Sequence, residues 1–206
     1  VFAGRRWNCI QCFHSIGHAA MRIFQNNVVI SLEHCAALPH VSMQEWCYSG
    51  VFMENANLYF SFYEPERPRP NTQSDDIASL CLEMNGGKRN QCVRFLPQII
   101  LTKNGGNFNQ AFKTCSRFKG LDEELCIRRL SWVFIPAYFK DNFHEMVKTC
   151  KMAGLAYENL CLSYVQKGIS IGAAGPQNKN GSICDLVEIS YQKDCLGAAG
   201  LSVDHP

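Results

Sequence analysis

The sequence predicts an all-α fold, an α-solenoid of about six helix-turn-helix repeats of 34–35 residues. Three observations predict it: a phrase that repeats, cysteines that recur with the same period, and apolar columns at helical spacing after every second cysteine. NFNQAFKTC at 107–115 returns 35 positions later as NFHEMVKTC at 142–150. Cys9 and Cys12 aside, the 12 cysteines fall into five successive pairs: Cys35 with Cys47, Cys81 with Cys92, Cys115 with Cys126, Cys150 with Cys161, and Cys184 with Cys195. The first members recur at intervals of 46, 34, 35 and 34 residues, and the second members, counted from Cys12, at 35, 45, 34, 35 and 34. The long interval contains FYEPERPRPNTQ at about 62–73, a Pro-rich polar stretch that cannot continue a helix and reads as an inserted loop. The expected organisation is therefore one helical-repeat domain over residues 1–206.

Each repeat reads as two helices. Helix A opens with an Asn cap, Asn107 or Asn142, followed by an apolar stripe at i, i+3, i+4 and i+7: Phe108, Ala111, Phe112 and Cys115 in one unit, Phe143, Met146, Val147 and Cys150 in the next. Gly105 and Gly106 break the helix before the first of these. Helix B starts at the second cysteine of each unit, in chain order at CFHSIGHAAM, CYSGVFMENA, CVRFLPQIIL, CIRRLSWVFI, CLSYVQKGIS and CLGAAGLSVD. One residue after the cysteine stand Phe13, Tyr48, Val93, Ile127, Leu162 and Leu196; four residues after it stand Ile16, Val51, Leu96, Leu130, Val165 and Ala199. At about 100° per residue these share a face with the cysteine, which makes that face the core stripe. Pro97 and Pro136 are expected to kink or end their helices, and Gly197 and Gly200 weaken the last one.

The first cysteine closes helix A and the second opens helix B, so a disulfide can clamp each hairpin at its neck. Closing a loop of this length stabilises by on the order of 3 kcal/mol in chain-entropy estimates. Cys12 belongs to a first, incomplete unit, where Cys9 at i−3 is a possible partner. Such cysteine usage points to an oxidising, extracytoplasmic location: periplasmic, cell-surface or secreted.

The other totals exclude several classes. With 47% hydrophobic and 18% charged residues, disorder is not expected as the main state. The 20 basic and 18 acidic side chains nearly balance and no basic tract or reading motif occurs, so nucleic acid is not an expected partner. No apolar run reaches the roughly 20 residues of a membrane span. The start VFAGRRWNC does not read as a signal peptide, so a removed targeting segment or a longer chain is expected.

In unit length and helical-hairpin pattern the chain resembles tetratricopeptide and Sel1-like repeats, with disulfide-clamped Sel1-like proteins of bacterial envelopes nearest. The tetratricopeptide Trp, Gly, Tyr and Pro signature is absent, and the spacing between paired cysteines, ten residues in four pairs and eleven in the first, is longer than in the Sel1-like proteins. The resemblance covers roughly residues 9–200, implies an α-solenoid, and brings no catalytic residues with it.

Unusual chemistry concentrates in WNCIQCFHSIGHAAM. His14 and His18 stand at i and i+4, the spacing that puts two imidazoles side by side on a helix. Haem, copper or zinc at His14 and His18 is the alternative to a bare scaffold, with Met53 or Glu54 as further metal residues, Glu54 forming a mixed pocket with His18 between the first two units. A four-ligand zinc site of Cys9, Cys12, His14 and His18 requires reduced thiols, against the compartment inferred above. CIQCFH differs from the haem c attachment motif by one inserted residue.

The columns two and six residues after each second cysteine lie opposite the core stripe and vary: Ser49 and Met53, Arg94 and Gln98, Arg128 and Trp132, Ser163 and Lys167. Ser49, Arg94, Gln98, Arg128, Trp132 and Lys167 are thus the expected binding surface. Trp132, Tyr138 and Phe139 exceed what one stripe needs and mark either a bulky core or a partner or membrane contact. Asn180-Gly181-Ser182 is a glycosylation sequon. No nucleophile elbow, P-loop, HExxH or dinucleotide fingerprint is present, so no catalytic residue is named. The expected function is a binding protein or scaffold, an accessory subunit of an envelope or extracellular assembly with protein partners. A metal or haem redox protein is the second expectation, an enzyme of another kind the third.

Overall fold

A computed structural model describes residues 10–59, 76–140 and 142–170. Among these residues every regular element is helical. The chain divides into two compact units, Val1–Ile99 and Ile100–Pro206.

The first unit contains α1 (Ile10–Ile23), α2 (Val28–Ala36), α3 (Val41–Tyr59), α4 (Ile77–Leu82) and most of α5 (Gly86–Lys103). The second contains α6 (Phe108–Cys115), α7 (Leu121–Arg129), a π-helical turn (Leu130–Phe134), α8 (Ile135–Phe139), α9 (Phe143–Lys151) and α10 (Glu158–Ser170). Four hairpins result, and a disulfide closes each: Cys35–Cys47 joins α2 to α3, Cys81–Cys92 joins α4 to α5, Cys115–Cys126 joins α6 to α7, and Cys150–Cys161 joins α9 to α10. Their Cα–Cα distances lie between 5.4 and 5.6 Å, within the range a disulfide spans without moving backbone. Cys12 is also disulfide-bonded. Cys9, the Cys184–Cys195 pair, the Pro-rich stretch at 62–73, the sequon at Asn180 and the helix expected after Cys195 lie outside the described residues.

The helix A starts share one local solution. Asn27, Asn107 and Asn142 each accept a hydrogen bond on the side-chain oxygen from the backbone N–H three residues on, at 3.1, 3.0 and 3.3 Å. The chain reaches each cap through left-handed backbone, at Gln25 and Asn26 before α2, Gly105 and Gly106 before α6, and Lys140 before α9. Asn26 N–H donates to the Met21 carbonyl at 2.7 Å and Gly106 N–H to the Leu101 carbonyl at 2.8 Å, the long bond of a Schellman ending. Gln25-Asn26-Asn27 therefore does with side chains what Gly105-Gly106-Asn107 does with glycines.

The predicted core stripe is present in helices α3, α5, α7 and α10: Cys47, Tyr48 and Val51; Cys92, Val93 and Leu96; Cys126, Ile127 and Leu130; Cys161, Leu162 and Val165 are all buried. Helix α1 departs from it. Ile16 is 43% exposed, and α1 instead buries Gly17, Ala20 and Met21. The cause is the crossing of α1 on α3. A Cβ on Gly17 would overlap the Cys47 carbonyl and stand 2.7 Å from the Val51 nitrogen, and one on Gly50 would overlap the His14 carbonyl. The two backbones touch, and the glycines alone allow it.

Of the two alternatives, a kink or an end, neither proline ends a helix at its own position. α5 runs on through Pro97. Pro136 sits in the first turn of α8, just after the π turn, where its missing N–H matters least. There the Ile135 N–H donates to the Leu130 carbonyl, five residues back.

Candidate functional site

The α1–α3 crossing places His14, His18 and Arg22 of α1, one helical turn apart, along α3 beside Glu54. Gly17 lies between the two histidines in sequence and Gly50 one turn before Glu54, so the residues that let the helices touch also set the imidazoles against the carboxylate. Glu54 is 5% exposed. His18 Nδ1 donates to Glu54 Oε2 at 2.7 Å, a short, charge-assisted contact, and Arg22 Nε stands 3.7 Å from Oε1. The Nε2 atoms of His18 and His14 face each other at 3.1 Å. Carboxylate and both imidazoles thus form one hydrogen-bonded chain from the buried side of α3 to the partly open face of α1.

Burial lowers the pKa of His14 below its ordinary value, assisted by His18 and, more weakly, Arg94, while the Trp46 backbone opposes the shift. His14 is consequently held towards the neutral form. With His14 neutral, one proton lies between the two Nε2 atoms, so one is donor and the other acceptor. Nδ1 of His14 is buried and has no full hydrogen bond, and Asn55, 1% exposed and next to Glu54, also keeps its Oδ1 buried without one.

The other sequence-predicted residues separate into four groups. Met53 is 38% exposed on α3. Ser49 is 3% exposed, which corrects its assignment to the binding surface: α3 is buried around most of its circumference from Cys47 onward, because α1 covers the side expected to face solvent. Arg94 and Gln98 remain half-buried on α5, where Gln98 Nε2 donates to Asn57 Oδ1 at 3.4 Å.

Arg128, Trp132 and Lys167 come together in the second unit around Tyr164, a residue the column pattern did not single out. Lys167 Nζ lies 5.3 Å from the Trp132 ring centre and 5.8 Å from that of Tyr164, and the Arg128 guanidinium 5.2 Å over Tyr164. The Trp132 and Tyr164 centroids are 6.4 Å apart. Glu124, one turn before Arg128, pairs with its guanidinium. The helices approach closely here too, since a Cβ on Gly168 would overlap the Trp132 carbonyl. Tyr138 is 59% exposed and forms a separate ring cluster with Phe108 and Phe139.

Among the described residues no group of three or more His, Cys, Asp and Glu side chains is arranged to hold a metal ion. Glu54 meets His18 at Nδ1, which makes it a support for that ring instead of a fellow ligand at Nε2. Cys12, being disulfide-bonded, offers no thiolate to a zinc set with the histidines. Also among the described residues, no helix is long and apolar enough to cross a membrane. Comparison with protein-family models, with curated proteins and with solved structures finds no match for the chain.

Proposed function

We propose that the chain is an extracytoplasmic, disulfide-clamped helical-repeat protein whose role is binding, as a scaffold or accessory subunit of an envelope or extracellular assembly. The observation that carries this reading is the cation–aromatic face of Arg128, Trp132, Tyr164 and Lys167. It joins the helix B surfaces of two consecutive clamped hairpins, held by Cys115–Cys126 and Cys150–Cys161. Aromatic side chains and arginine are the groups that dominate the energy of protein interfaces. Lys167 and Arg128 stacked on rings are preorganised, so less side-chain freedom is lost when a partner arrives. The π turn that carries Trp132 agrees with this, because such turns concentrate at functional positions. The complementary partner is a protein surface that presents acidic side chains.

Repeat hairpins stacked as a solenoid present such faces in a continuous row. Four clamped hairpins also fit an oxidising compartment, where disulfides persist. The test is site-specific photocrosslinking in the native host, with the photoreactive residue at Lys167 and, as control, at the exposed Lys113 of α6. One defined protein adduct from position 167, absent from position 113 and lost in the Trp132→Ala background, is the expected result. Identical adducts from both positions, or none from 167, would overturn the reading.

A further inference from the structure

We propose that His14 and His18 hold a single divalent transition-metal ion between their Nε2 atoms, with Glu54 as the group that fixes His18. The site is independent of the binding face described above and lies in the other unit. Its geometry is that of a ligand pair before metal arrives. Metal–nitrogen bonds of about 2.0–2.1 Å to each ring, set across the 3.1 Å between the two Nε2 atoms, give an N–metal–N angle of about 100°. That value lies between the square and tetrahedral ideals, so the separation of the two nitrogens suits one ion once the rings turn towards it in place of the shared proton.

Glu54 supplies the second feature of a built site. A metal-bound imidazole ordinarily donates its remaining N–H to a carboxylate or carbonyl, which fixes the tautomer and makes the ligating nitrogen more basic. His18 does this through Nδ1 at 2.7 Å, to a carboxylate whose side chain is only 7% exposed. A surface histidine pair with no other purpose does not need a buried carboxylate beneath it, since burying that charge is costly. The close approach at Gly17 and Gly50 sets the spacing of the helices that carry both groups.

Imidazole nitrogen without thiolate selects copper(II), nickel(II) or zinc(II) over magnesium and calcium. Two protein donors leave the remaining coordination positions to water or an incoming ligand. His18 is 26% exposed at the side chain, which gives the ion a path in.

The experiment is calorimetric titration of the untagged, oxidised protein with copper(II) and with zinc(II) chloride, together with electron paramagnetic resonance of the copper form. One ion per chain is expected, with nitrogen couplings from two imidazoles in the copper spectrum. His14→Ala and His18→Ala should each weaken binding by a hundredfold or more. Glu54→Gln should weaken it by roughly 10–100-fold, the usual cost of losing a supporting group. Should Glu54→Gln fail to fold by circular dichroism, the spectrum of the wild-type protein decides by itself. Stoichiometric binding that survives in the His14→Ala/His18→Ala double variant places the ion on another histidine, such as the exposed His34, His40 or His144, and overturns the proposal. So does the absence of binding at millimolar metal.

Discussion

At Gly17 and Gly50 nothing larger than hydrogen fits, because each faces backbone of the opposite helix instead of a side chain that could turn away. Gly17→Ala is therefore expected to push α1 off α3, at about 1–3 kcal/mol, the range for overpacked sites. For a chain of this size that is a fall in melting temperature of several degrees, read by circular dichroism. An unchanged midpoint would mean that the two backbones do not touch. Both glycines stand in the sequence among ordinary helix B residues, and the helical pattern alone reads them only as weak points. Glu54 is similar: its place near the end of an apolar run suits a solvated carboxylate as well as a buried one, and only the packing of α1 decides that it is buried against His18. His14 and His18 were legible as a pair, because i and i+4 on any helix are neighbours.

Among elements, the helix A starts were the most legible. Asn107 and Asn142 act within three residues of themselves, so the code for the cap is local. Replacing either by Ala should cost about 1 kcal/mol, measured by chemical denaturation. Asn27 was less visible, because the left-handed turn before it uses Gln25 and Asn26 where the later unit uses two glycines. The hairpin clamp is an element-scale prediction too. Cys115 and Cys126 are both fully buried, so alanine is the replacement that leaves no buried hydroxyl. The Cys115→Ala/Cys126→Ala double variant should lose on the order of 3 kcal/mol. A loss within error of zero would show that helix packing holds the neck without the bond. The π turn at Leu130–Phe134 was not legible: Pro136 reads in the sequence as a kink or an end, and the chain widens one turn just before it.

For the whole molecule, the cysteine period is the strongest statement the chain makes. If every one of the 12 cysteines is paired, reduction of the native protein raises its intact mass by twelve hydrogens, and thiol labelling before reduction finds none. Substantial labelling of Cys35, Cys47, Cys81, Cys92, Cys115, Cys126, Cys150 or Cys161 would contradict the four clamps and the oxidising compartment together. The chain folds as two compact units, a division that the near-uniform period gives no hint of. Periodicity reports what each hairpin needs from its neighbours and is silent on where the sum of contacts thins out.

The sequence by itself determined the all-helical class, the hairpins and the four clamps Cys35–Cys47, Cys81–Cys92, Cys115–Cys126 and Cys150–Cys161, because caps, stripes and neck disulfides depend on residues close in the chain. Tertiary structure alone decided which polar residues became a site. Ser49 and Glu54 lie on one helix, and nothing within that helix says that the first is merely covered while the second receives a histidine from α1. That choice depends on the approach of α1 to α3 at Gly17 and Gly50, residues that carry no side chain and so no pattern for a period to register.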